Sequence, residues 1–228
     1  MSGFACMYFQ DPSLLQFQKK MREAKNRDNL LTLFDVKKIP ESTQMRNIID
    51  EVNNEDISPI FQDFFSRLQR GKHLKSYEFL PNSYLCSIDG TQIFYSEEIN
   101  CNSCLTQKLK SGSIGYSHKV LQAAVMHPDM KQVIPLTSEE IKNKDGNTKQ
   151  DCELNAAKRL IPKISSVHPR LNLIIVGDGL FSKTPLIKLT LENNHHYIFV
   201  AKPTDHKCMM KWIDNNVNLN EITKIDDK

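Results

Sequence analysis

No stretch of this 228-residue sequence approaches the roughly 18–20 consecutive apolar residues that a membrane span needs. The start, MSGFACMYFQDP, is only briefly apolar and has no positive n-region of the kind a secretion signal carries. A cytosolic location is the expectation that follows. A disulfide framework is lacking as well, because the six cysteines are scattered and only Cys101 and Cys104 stand close together. A large excess of either charge is lacking: the net of +3 is mildly basic and does not by itself call for a nucleic-acid partner. No internal repeat and no low-complexity tract is visible. What remains is a chain whose 39% apolar share can bury a core, under a well-solvated surface with a mean hydropathy of −0.45. Its length fits one core domain with an appendage.

Residues 1–78 read as a helical N-terminal region. Apolar residues recur three and four apart in LLQFQKKMREA, MRNIIDEV and ISPIFQDFFSRL. Ser42 or Thr43 is placed to cap the helix carrying Met45, Ile48 and Ile49, Pro40 and Pro59 punctuate the region, and Gly71 ends its last helix. The pattern changes near Pro81. SYLCSIDGTQIFYS is β-branched and aromatic, as a strand requires. A polar loop, EEINCNSCLTQKLKSGS, leads to a second strand over about 115–126 and a third in KQVIPLT. Leu154, Ala157, Leu160, Ile161 and Ile164 share one helical face, with Pro169 beyond it. LNLIIVGD is a continuous apolar run, the form of a strand buried on both faces of a parallel sheet. A helix over Thr184 to Glu192 and the strand HYIFVAK complete the order β-β-β-α-β-α-β. The fold class is α/β, a mixed sheet with helices on its faces over residues 79–203, followed by a polar extension, 204–228.

Two strands end in the same way. Asp89 in LCSIDGTQIF and Asp178 in LIIVGDGLFS each follow apolar strand residues and precede glycine. Either aspartate alone reads as a turn residue, since Asp-Gly is a favoured turn pair. In open α/β sheets, however, functional groups gather at the carboxyl ends of strands, and neighbouring strands lie about 4.8 Å apart. Two carboxylates so placed can share a divalent cation such as Mg²⁺. One phosphoryl-transfer pattern is similar, that of haloacid-dehalogenase-like phosphatases, with Asp-x-Asp-Gly-Thr early and Gly-Asp-Gly-x-x-Asp late. The nucleophilic carboxylate of that pattern is replaced by Ser87, and its last aspartate by Ser182.

A second resemblance covers the chain from about residue 36 onward. The ordered blocks SIDGTQIFYSEEINCNSC, YSHKVLQAAVMHPDMKQVIPL, DCELNAAKRLI, LIIVGDGLFS and YIFVAKPTDH resemble insertion-sequence transposases of the DDE class. The resemblance implies an RNase H-like core and metal-dependent DNA strand cleavage and strand transfer with Mg²⁺ or Mn²⁺. It places Asp89 and Asp178 as catalytic metal ligands. Double-stranded DNA, as transposon ends and target, is the implied partner, and a homodimer is compatible with it. The third acid of such a family is a glutamate on a later helix. Glu192 lies a full helix away from Asp178, Glu153 and Asp151 belong to the block before the fourth strand, and Glu221 sits in a weakly patterned tail. The expectation is therefore a truncated copy lacking the third carboxylate and unable to complete strand cleavage by itself. A non-catalytic DNA-binding remnant of the same origin is the alternative.

Smaller signals stand beside these. Cys101 and Cys104 form a lone Cys-x-x-Cys for which His118 is a third zinc ligand and no fourth is evident; the reading preferred from sequence is free thiols on a loop. Lys202 lies at the end of the last strand with His206 close by, and a lysine there can hold DNA phosphate or simply end a strand. The basic stretches KKMREAKNR and RLQRGKHLK read as solvated helix surface or as phosphate-backbone contacts. His127, before Pro128, reads as a turn residue, and Trp212 lies in a poorly patterned tail.

Overall fold

The computed structural model describes residues 1–143 and 150–218. The chain separates into two compact units, Met1–Pro59 and Ile60–Lys228. The division falls inside a helix, upstream of the composition change on which the boundary at residue 78 rests.

The first unit is helical: α1 Ser2–Tyr8, α2 Leu14–Met21, α3 Ala24–Phe34 and α4 Ser42–Asp50. The Ser13 hydroxyl caps α2 by accepting from the Gln16 N–H, satisfying one of the donors that a helix start leaves open. Phe17 and Met21, four apart on α2, bury against Ala5, Leu30, Phe34 and Met45. The cap expected at Ser42 or Thr43 is absent, because α4 already begins at Ser42 and Glu41 holds the N-cap position. The Glu41 carboxylate accepts instead from the Gln18 amide and the Arg22 guanidinium, which hold it below the usual carboxylate range.

Helix α5, Asn54–Arg70, runs across the division, with Pro59 inside it rather than at its end. Gly71 follows its last residue and donates its N–H to the Arg67 carbonyl, as expected of a helix terminator. The second unit then forms β1 Glu78–Leu80, β2 Ser83–Ser96, β3 Leu105–Lys108, β4 Ile114–Met126, β5 Ile134–Ile141, α6 Glu153–Val167, β6 Asn172–Gly177, α7 Thr184–Glu192, β7 His196–Phe199 and α8 Lys207–Asn218. Its seven-stranded sheet is mixed, in the order β3-β4-β2-β6-β7, with β1 on β2 and β5 on β4. β2, β4 and β5 pair antiparallel, while β6 joins β2 in parallel and β7 joins β6 in parallel.

Two strands were not expected. β1 is a three-residue hairpin arm, and β3 lies within the stretch read as polar loop. LTQK has one apolar residue, so hydrophobic periodicity carries no signal there. Pairing with the free side of β4, from Leu105↔Ser117 to Lys108↔Ile114, makes it a strand.

Alternation sets the faces of the sheet. Cys86 and Ile88 share one face with their cross-strand partners Val125, Ala123 and Ile175. The apolar stripe of α6, from Ala156 and Ala157 to Ile164, is buried in the same core. Each fully buried Leu or Ile there contributes roughly 1.5–3 kcal/mol. Leu173, Ile174 and Ile175 of β6 are consecutive and all buried, as a strand between two parallel neighbours requires.

Candidate functional site

The ladder of β2 and β6 runs ahead of the two aspartates. The parallel pairing runs residue by residue from Ser83↔Asn172 to Ser87↔Val176. Asp89 and Asp178 each lie two residues beyond that last pair. Asp89 lies within β2, which runs on to Ser96, so it is not the strand tip expected of it, and Asp178 is the first residue after β6; carrying the ladder's register forward by two residues would set both on one face. Both residues are exposed. Each commits one oxygen locally: Asp89 Oδ1 accepts from the Gly90 N–H at 2.8 Å, and Asp178 Oδ1 from the Leu180 N–H at 2.8 Å. The second oxygen of each takes no hydrogen bond or ion pair among the described residues.

The glycines after these aspartates let other side chains approach. A Cβ on Gly179 would stand 2.9–3.0 Å from Cγ, Cδ and Cε of Lys202, so the lysine stem lies directly across the residue after Asp178. Ser182 donates to the Gly179 carbonyl at 2.8 Å and shares a 2.7 Å hydrogen bond with His206 Nε2. Lys202 and His206 are tied to each other by the His206 N–H, which donates to the Lys202 carbonyl. The residues after β7 therefore fold back onto the turn that carries Asp178. The Ser182–His206 bond has no short-range sequence signal, because its partners are 24 positions apart.

Among the described residues, no cluster of three metal-ligating side chains includes Asp89 or Asp178. The Glu153 carboxylate packs against the backbone of Gly90. Alternation points Gly90 away from the face of Asp89, so Glu153 lies on the other side of the sheet. Glu192 shares a hollow with Asn172, the first residue of β6, and so sits at the far end of a six-residue strand, roughly 20 Å from Asp178. Asp151 is one residue too early to be the N-cap of α6, which is Cys152. Its buried carboxylate accepts from Arg159 at 2.6 Å and from the Cys152 N–H at 2.8 Å, a structural role. Glu221 lies outside the described residues.

A second cluster forms beyond the carboxyl end of β2. Cys101 and Cys104 follow that strand, and His118 comes from β4. Cys101 Sγ and Cys104 Sγ are 3.7 Å apart, and each is 3.3 Å from His118 Nε2. The Cys101 N–H points at Cys104 Sγ at 3.3 Å. Burial pushes the Cys104 thiol up, and that backbone N–H works in the opposite direction. His127 takes the turn role read for it, its Nδ1 accepting from the Asp129 N–H at 3.2 Å. Trp212 on α8 is exposed.

No protein-family model matches this chain, and no curated protein matches it. Two solved structures show a weak likeness. The first is a pre-cleavage Mos1 transpososome, at 10% identity and a TM-score of 0.28, covering 94% of this chain and 69% of that one. The second is a Mos1 Strand Transfer Complex, at 10% identity and a TM-score of 0.26, covering 100% of this chain and 65% of that one. Likenesses at this level carry no argument about mechanism. Among the described residues no helix is long and apolar enough to cross a membrane.

Proposed function

We propose that the second unit is a transposase core in which Asp89 and Asp178 together hold Mg²⁺ or Mn²⁺ against a DNA phosphodiester. The observation that supports this reading is the parallel ladder of β2 and β6, whose last pair, Ser87↔Val176, lies two residues before each aspartate. The donor set fits the cation: two exposed carboxylates, each with one oxygen uncommitted among the described residues, suit a hard ion that keeps water in its remaining positions. Bound Mg²⁺ would supply Lewis-acid stabilisation of charge on the phosphodiester oxygens, and a pair of such ions would serve both the attacking and the leaving oxygen. The rest falls to the protein. The Gly90 and Leu180 N–H groups fix the orientation of the two carboxylates. Lys202, laid across Gly179, brings a cation for phosphate to the same edge. The Ser182–His206 bond holds the turn that presents Asp178.

The order β2, β4, β5, α6, β6, α7, β7, to which β1 and β3 are added, supports a reading as the RNase H-like arrangement that the resemblance implies. Double-stranded DNA is the partner in this reading, and a homodimer belongs to it. Mn²⁺ binding to the full chain, measured by electron paramagnetic resonance, tests the pair directly. Asp89→Asn and Asp178→Asn are each expected to weaken it at least about tenfold, since even an outer-shell partner of a metal is worth 10–100-fold. Unchanged Mn²⁺ binding in both variants would overturn the site. Salt-dependent DNA binding without divalent-dependent nicking would favour the non-catalytic remnant, and turnover of a small phosphate ester in place of DNA would favour a phosphatase.

A further inference from the structure

We propose that Cys101, Cys104 and His118 form a zinc site that pins the segment after β2 to β4. The geometry carries it. A tetrahedral ion with Zn–S near 2.3 Å and Zn–N near 2.05 Å separates two sulfurs by about 3.8 Å and a sulfur from a nitrogen by about 3.6 Å. The three ligand atoms stand 3.7, 3.3 and 3.3 Å apart. The sulfur separation matches, and the shorter S···N distances close each S–Zn–N angle to about 98°. The 3.7 Å gap between the sulfurs is far longer than a disulfide, at about 2.05 Å.

The backbone is arranged for a thiolate. The Cys104 N–H closes a turn onto the Cys101 carbonyl at 3.1 Å, and the Cys101 N–H aims at Cys104 Sγ. A backbone donor directed at a ligating sulfur is the outer-shell support that a metal centre uses. Two soft thiolates and an imidazole select zinc over the hard cation proposed for the aspartate pair. Cys104 is buried and Cys101 exposed, and no fourth protein ligand stands with them among the described residues. Binding forms two S–Zn bonds and one N–Zn bond, and the two thiol protons pass to solvent. The site is distinct from the Asp89–Asp178 edge and stands or falls independently of the transposase reading. Its place, joining the connection between β2 and β3 to the middle of β4, gives it a structural task.

Zinc content of the purified full chain, after exchange into metal-free buffer, is expected to be equimolar. Co²⁺ is expected to give a thiolate-to-cobalt charge-transfer absorption that zinc abolishes. Cys104→Ser and His118→Asn should each lower zinc affinity at least about tenfold, while Cys152→Ser, outside the cluster, should leave it unchanged. Should the variants fail to fold, alkylation of the wild-type chain read by mass spectrometry still decides: zinc should slow modification of Cys101 but not of Cys208. Absence of zinc and of the cobalt absorption, or equal Cys101 alkylation with and without zinc, would overturn the proposal.

Discussion

Gly177, Gly179 and Gly90 each admit a neighbour where a side chain would stand, and the neighbours differ in what they can concede. A Cβ on Gly177 would meet Phe181 Cδ2 at 2.7 Å, and Phe181 is buried. A rigid buried ring cannot step aside, so Gly177→Ala is expected to cost about 1–3 kcal/mol, measured as a lower denaturant midpoint. At Gly179 the neighbour is the flexible stem of Lys202. Gly179→Ala should therefore leave stability nearly intact while moving the lysine. If Lys202 holds phosphate, Lys202→Ala should weaken DNA binding uniformly across sequences and lower the salt slope by about 1, read from affinities at several salt concentrations.

At the scale of elements, β6 and α6 carry the core. Leu173 and Ile175 are fully buried, each on the face that α6 covers. Leu173→Ala should cost about 2–5 kcal/mol by chemical denaturation, the transfer term plus the cavity left between sheet and helix. The start of α6 depends on a different interaction. Asp151 is buried and bonded to Arg159, which also bonds Glu139 at 2.8 Å. Asp151→Ala should cost about 1.5–3 kcal/mol, the range for hydrogen bonds to charged groups. Loss of that carboxylate removes one of the anchors of Arg159, which also bonds Glu139 and the Glu140 carbonyl on β5.

For the molecule as a whole, two histidines set a dependence on acidity. Burial holds His168 and His195 below the usual imidazole range, and His196 beside His195 adds to it. His168 Nε2 and His195 Nδ1 are buried with no hydrogen-bond partner among the described residues. Both are neutral in the folded state and take up protons more readily when unfolded. The unfolded chain therefore binds more protons below the unfolded pKa of about 6.5, and stability falls as pH drops through that value toward the lower folded pKa. Above about 6.5 their contribution is complete. A denaturant midpoint measured against pH should show this decline, and the double substitution His168→Gln, His195→Gln should flatten it.

Much of this was legible in the sequence. SYLCSIDGTQIFYS coincides with β2, Thr184 to Glu192 with α7, and the unbroken apolar run LNLIIVGD marked a strand flanked on both sides, because such a strand has no solvent face on which to place polar residues. Local pattern failed where the stabilising partner was distant. β3 owes its form to the edge of β4, Pro59 continues a helix whose other turns hold it, and Glu41 rather than Ser42 stands at the start of α4. For the sites, residue types and their sequence setting singled out Asp89, Asp178, Cys101 and Cys104, although β2 runs seven residues past the Asp89 that was expected to end it. Only the tertiary structure decided which groups meet, since ladder register and the return of the chain across Gly179 are set by pairing and packing between residues far apart in sequence. It paired β2 with β6 ahead of the two aspartates, set Glu153 against Gly90, laid Lys202 across Gly179, and closed His118 onto the two cysteines.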